Sequence, residues 1–294
     1  MDIFLQLLVS GIAVGGIYAL IALGFVLIYK ATSIINFATG EFMMIGAYIF
    51  YSAAVLAGWP PVPAFLVVLG GAALLGMVVE FAILRHMLGQ PTISIVMVTI
   101  GLSSILTGLA EIIWSSDFKS FPPLFPRAPI IIGEVVIRSN LFWGFVVAMA
   151  VVVVFALFFK YSKFGVAMRA TAGDQLASYS MGIDVRVMFS VAWAFGAVAA
   201  ALGGLIIGNI GGIQPNLGHI GLKIFPVVIL GGLDSIGGAV LGGFIVGVVE
   251  NFAGGYLDPY VGGGVKDVAP FVILVLILLV RPYGLFGREE IERL

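Results

Sequence analysis

Apolar runs, most of them long enough to cross a bilayer, recur along this chain at residues 3–29, 34–58, 62–84, 92–114, 141–159, 187–212 and 268–280. A helix needs about 20 largely apolar residues to span the hydrocarbon core, and in lipid its backbone groups must all find partners within the protein. The succession therefore predicts an all-α polytopic membrane protein. Apolar residues fill 61% of the 294 positions and charged residues only 10%, outside the range of a soluble core of this size. The first run has Asp2 where a signal peptide has a basic leader, and it is too long for a signal h-region, so it reads as a retained span.

Between the last two runs the reading stays open. Residues 217–233 and 236–256 are glycine-rich and joined only by Asp234 and Ser235, so they form two tight spans or a re-entrant pair. About eight to nine transmembrane helices result, in a single domain over residues 1–294. With the N-terminus outside, Lys30, Arg85, Lys160, Lys163, Arg169, Arg186, Arg281, Arg288 and Arg293 fall in the cytoplasm. Lys119, Arg127, Arg138, Lys223 and Lys266 then fall outside. Nine against five, mostly in short loops, predicts N-out and C-in by the positive-inside rule.

The largest outer loop is then residues 115–140. Four prolines (122, 123, 126 and 129) stiffen its first half, and residues 130–137 suit a small hairpin turning at Gly133 and Glu134. Such a loop either receives a solute receptor or only closes the gap between spans. On the cytoplasmic side lies the one long polar island, residues 160–187, with four of the fourteen Lys and Arg residues. Asp174 is a good N-cap, residues 175–181 make two helical turns, and Gly182 supplies the left-handed residue that ends them. A small capped helix projecting from a membrane bundle suits the docking cleft of a motor.

Several chemistries are absent from the sequence. There is no cysteine, hence no disulfide or thiolate metal site, and no basic patch for nucleic acid. No P-loop occurs, so any ATPase is another subunit, and His86 and His219 are too far apart in sequence to suggest a zinc motif. Four acids fall within spans, Glu41, Glu80, Glu111 and Glu250, each placed by this topology within about two turns of a span end. They read as interfacial carboxylates or as partners for Lys30, Arg85 and Lys266. An ion-coupled carrier needs a carboxylate at mid-depth, for which Glu41 and Glu250 are the best candidates.

Asn36, Thr39 and Glu41 cluster at the start of one span, and Asn209, Gln214 and Asn216 around the outer end of another. These groups offer a polar solute hydrogen bonds along a path, or they satisfy helix ends. Residues 36–40 and 216–220 echo one another faintly, as an inverted repeat would. Many of the forty glycines recur at small-xxx-small spacing, as in Gly11 and Gly15, Gly208 and Gly212, Gly238 and Gly242, and Gly243 and Gly247. That spacing lets helix backbones approach closely in lipid.

Three runs together resemble the permease subunits of branched-chain amino acid ABC importers, of the LivH type. They are GGIYALIALGFVLIYKATSIINFATGEFMMIGAY at residues 15–48, GLKIFPVVILGGLDSIGGAVLGGFIVGVVE at residues 221–250, and RPYGLFG at residues 281–287. The resemblance implies one of two permease subunits in the cytoplasmic (inner) membrane of a bacterium or archaeon. It would be fed by an extracytoplasmic solute-binding protein and powered by two ATPase subunits that use ATP and Mg, with no covalent chemistry and no cofactor on this chain. Branched-chain amino acids are the implied substrates; similar permeases handle urea, short amides or other amino acids, and an ion-coupled carrier or channel is the more distant alternative. The resemblance also makes the island the ATPase-coupling element, with Arg169, Asp174, Leu176, Ala177, Ser178, Gly182 and Asp184 as its residues. The wider importer pattern of Glu-Ala-Ala, three residues and Gly keeps its spacing here, but Leu176 replaces the acid.

Overall fold

The computed structural model describes residues 2–87, 89–126, 128–133 and 135–287. They form twelve α-helices in chain order. The first five are α1 (Asp2–Thr32), α2 (Thr39–Tyr51, continued by a π-turn at Ser52–Leu56), α3 (Pro61–Ala82), α4 (Thr92–Trp114) and α5 (Ser139–Tyr161). The polar island holds α6 (Lys163–Gly173) and α7 (Gln175–Ser180), and then follow α8 (Val185–Gly211), α9 (Ile220–Gly231), α10 (Ile236–Phe252), α11 (Asp258–Val261) and α12 (Val265–Val280). A two-stranded hairpin, β1 (Ile130–Ile132) with β2 (Val135–Ile137), turns through Gly133 in the left-handed region. Glu134, the other expected turn residue, lies outside the described residues, as do Arg127, Arg288 and Arg293. Among the described residues seven helices are long and apolar enough to cross a membrane, and α9 with its 3-10 lead-in at Pro215–His219 is a shorter apolar segment.

The bundle is built around α1, whose residues from Ile17 to Ile28 are almost wholly buried. Glycines set how near its neighbours come. A Cβ on Gly11 would lie 2.7 Å from the Val248 backbone, one on Gly15 would lie 2.6 Å from the Gly243 carbonyl, and one on Gly247 would lie 2.5 Å from the Gly11 carbonyl. Two of the small-xxx-small pairs thus pack on each other, with α1 and α10 antiparallel and their backbones in contact. The pair Gly238 and Gly242 on another face of α10 does the same against Gly231 and Val227 of α9. Gly208 and Gly212 do not join helices: Gly208 lies by Phe121 and Ile213, and Gly212 ends α8 with φ of 83°.

The helices alternate in direction, giving the bundle two ends. One end gathers Lys30, Arg85, the island and Arg281; there Lys30 donates to the Asp234 carbonyl and sits over the Phe159 ring. At the other end Lys119 and Ile213 exchange backbone hydrogen bonds of 3.0 and 2.8 Å, and the Gln6 amide binds the backbone of Val136. Lys223 lies on α9, 2.9 Å from Glu250 and 2.6 Å from Asp267 in the first turn of α12, so its charge is answered by two carboxylates.

Candidate functional site

Two spans are broken at mid-depth. α1 ends at Thr32, and Ser33 leaves it in the left-handed region with φ of 56°. The helix expected to begin near residue 34 does not: residues 34–38 are extended or turned, and α2 starts only at Thr39. The Thr99 hydroxyl reaches the Ile35 carbonyl at 3.3 Å, and Ser103 faces the Glu41 carboxylate. Ser103 is the central residue of α4, about 16 Å from either end at the helical rise per residue. Glu41 therefore lies near mid-depth and not within two turns of a membrane face, because the non-helical segment carries the chain inward before α2 begins.

The second break follows α8. From Gly212 the chain turns back into the bundle, makes the 3-10 turn at Pro215–His219 and continues as α9, only 12 residues long. The hairpin of residues 217–256 is thus a half-span packed on a full one. The two breaks meet. A Cβ on Gly40 would lie 2.0 Å from the Gly218 carbonyl, one on Gly221 would lie 2.4 Å from the Gly40 Cα, and one on Gly218 would lie 2.9 Å from Oε1 of Glu41. The faint echo between residues 36–40 and 216–220 therefore marks two segments that touch, each opening a helix at the same level. Non-helical backbone at such depth is tolerated only where protein or a polar path surrounds it.

Local hydrogen bonds shape the first break. Asn36 Oδ1 accepts from the Ala38 N–H at 3.0 Å, and the Thr39 hydroxyl donates to the Asn36 carbonyl at 2.9 Å. Asn36, Thr39 and Glu41 are all buried, at 1, 2 and 7% exposure. Gln214 and Asn216 are exposed on the opposing segment, so the structure brings their strand of chain to the three buried residues and leaves their own side chains on the rim. Thr99, Ser103 and His219 join this centre without having been singled out for it. A serine and a threonine midway along an apolar span were the available signal.

The island is a second candidate site. Asp174 Oδ1 accepts from the Ala177 N–H at 2.9 Å, and Gly182 has φ of 82°, so both ends of α7 close as the sequence predicts. The preceding helix, α6, was not expected. It is capped by Ser162, whose hydroxyl accepts from the Gly165 N–H at 2.9 Å. Arg169 donates to the carbonyls of Phe159 and Lys160, fixing α6 under α5, and Asp184 caps α8 through the N–H groups of Arg186 and Val187. Ser178 is buried. Leu176, Tyr179 and Met181 are 81, 74 and 82% exposed, an apolar cluster on the outside of a polar element.

A triad around the buried Glu80 ties this region to the bundle. Glu80, 2% exposed, pairs with Arg85 at 3.0 Å and accepts from the Ser190 hydroxyl at 2.5 Å, while Arg85 also reaches Ser190 at 3.1 Å. The link joins the end of α3 to the first turns of α8, directly after the island.

The family model described as branched-chain amino acid transport system, permease component, matches residues 7–281. The chain is 35% identical to the high-affinity branched-chain amino acid transport system permease protein BraD of Pseudomonas aeruginosa, over 99% of this chain and 98% of that one. It is 32% identical to the permease protein LivH of Escherichia coli, described in the same terms, over 99 and 97% of the two chains. Among solved structures it resembles PsaBC from Streptococcus pneumoniae in complex with Fab, with a TM-score of 0.50 at 12% identity over 96% of this chain and 93% of that one. That last likeness is one of fold alone.

Proposed function

The chain belongs to the family of permease components of branched-chain amino acid transport systems, and from that premise we propose that it is one of two membrane subunits of an ATP-driven importer for leucine, isoleucine and valine. It performs no covalent chemistry. A solute-binding protein delivers the amino acid on the side of the β-hairpin, and two ATPase subunits with ATP and Mg dock on the side of α7. This orientation, N-out and C-in in the cytoplasmic membrane, puts the larger share of Lys and Arg in the cytoplasm.

The observation that carries the coupling role is α7 itself. A helix of six residues is too short to persist on its own, yet this one is closed at both ends and presents Leu176, Tyr179 and Met181 to solvent. An exposed apolar cluster of this kind on a rigid turn fits a partner's cleft. Motion of the motor would pass from α7 to α8, and through the Arg85, Glu80 and Ser190 contacts to α3. The bundle then exchanges outward- and inward-facing packings, the bistable rearrangement that packed helices allow. Asn36, Thr39, Glu41, Gln214 and Asn216 line the path at the place where both spans are broken.

Purification in mild detergent from the native membrane, followed by reconstitution, tests this reading. Recovery with a P-loop ATPase and a second permease, and ATP-dependent uptake of labelled leucine in the presence of the solute-binding protein, are expected. Uptake that persists without the ATPase and collapses with an ion gradient would instead make the chain a carrier, with Glu41 as its coupling acid.

A further inference from the structure

In the first broken span three polar atoms are buried with no hydrogen-bond partner among the described residues, Nδ2 of Asn36, Oε2 of Glu41 and the Tyr48 hydroxyl, and the first two lie at the break itself. The Asn36 amide is oriented by the bond from Ala38 to its oxygen, so its unmatched group is a donor. Glu41 takes part in none of the described ion pairs. Buried polar groups are rarely left unmatched, and those that are call for a reason. Here a donor and an acceptor are left open five residues apart, on one segment, at the level where both spans break.

An α-amino acid has the complementary pair, a carboxylate to accept from the amide and an ammonium to donate to the carboxylate. Resting on the permease reading, we infer that Asn36 and Glu41 form a transit site that takes the α-carboxylate and α-ammonium of an amino acid at mid-depth. The first N–H groups of α2 favour negative charge at this point, which suits a substrate carboxylate beside Asn36. The contact of Gly40 and Glu41 with Gly218 and Gly221 covers the site in this packing, so the site opens when residues 215–219 part from residues 39–41. It grips the part common to all α-amino acids and leaves the side chain unread. A neutral solute such as urea or an amide gains nothing from the carboxylate, so the site narrows the substrate class to zwitterions.

The test uses the complete complex with its solute-binding protein in proteoliposomes, with labelled leucine as the probe and uptake expressed per assembled complex. Glu41→Gln keeps the shape and removes the charge, whereas Glu41→Asp keeps the charge and shortens the reach. A charge role predicts uptake lowered about tenfold or more by Glu41→Gln, in line with the strength of a charge-assisted hydrogen bond, and lowered less by Glu41→Asp. A packing role predicts the reverse order, and Gln equal to or better than Asp overturns the transit site while leaving the permease reading in place. No ATP-driven leucine uptake by the unmodified complex overturns the permease reading itself. Should both Glu41 variants fail to assemble, Asn36→Asp, nearly isosteric but without the donor, carries the test: uptake falls on the proposal, and unchanged uptake overturns it.

Discussion

Replacing Gly40 by alanine adds one methyl group at the point where the two broken spans touch. The new Cβ would lie 2.0 Å from the Gly218 carbonyl oxygen and 3.0 Å from the Gly221 Cα. Both obstacles are backbone, so no side chain can swing aside, and the 3-10 turn has to retreat by about 1.4 Å to restore ordinary contact. Overpacking of this kind costs about 1–3 kcal/mol, and a backbone obstacle places it toward the upper end. The same change at Gly101 or Gly108, in the middle of α4, meets nothing within 4 Å. There the gain in helix propensity is about 0.5–1 kcal/mol in favour of alanine. Gly40→Ala should therefore lower the temperature at which the detergent-solubilised complex loses its folded size-exclusion peak, and should depress leucine uptake. Gly101→Ala should leave the peak unchanged or raise its midpoint. If the Gly40 and Gly101 variants melt and transport alike, the mid-depth contact does not exist and the reasoning about the broken spans fails with it.

Further expectations concern the island and the buried charges. Asp174→Ala removes the cap on the Ala177 N–H, costs the helix about 1 kcal/mol, and should lower leucine uptake more than overall stability; equal uptake would mean α7 is not the dock. A bulky residue at Ala177 or Gly182 should uncouple ATP hydrolysis from uptake, and the ratio of the two rates in proteoliposomes measures it. Arg85→Met leaves the buried Glu80 carboxylate with only the Ser190 hydroxyl as partner and should lower the thermal midpoint, whereas Arg85→Met with Glu80→Gln should recover part of that loss in a thermal-stability cycle. Lys223→Met should destabilise the complex more than Glu250→Gln, since it leaves the buried Glu250 carboxylate with only the longer contact to Lys266, whereas Glu250→Gln leaves Lys223 its partner Asp267; the two midpoints compared side by side decide it.

Hydropathy alone made the long helices legible, because every span in lipid needs the same apolar length whatever it packs against. Capping chemistry made α7 legible, because Asp174 and Gly182 act on their own turn and on nothing distant. The broken spans were hidden by the same hydropathy. Residues 34–38 are as apolar as a helix, and only the contact with Gly218, far away in sequence, makes an unwound segment tolerable there. The partners of Lys223 were hidden for a related reason: Glu250 and Asp267 arrive from α10 and α12. The glycine pairs split by context, since Gly11, Gly15, Gly243 and Gly247 meet another helix whereas Gly212 meets Phe118 and Lys119 of the loop after α4, and the spacing is the same in both. Ser103 and Thr99 stand out in the sequence only as hydroxyls midway along an apolar span, and that they meet the first break follows from tertiary packing alone.

Because both interrupted spans begin a helix at one level, the proposed path is closed in this packing by a thin zone of backbone contact. The hydrocarbon core is about 30 Å thick, yet the zone where Gly40 abuts Gly218 and Gly221 is about one helical turn deep, roughly 5 Å. On the permease reading, a displacement of a few ångströms between residues 215–219 and 39–41 would be enough to part that zone, far less than the thickness of the membrane.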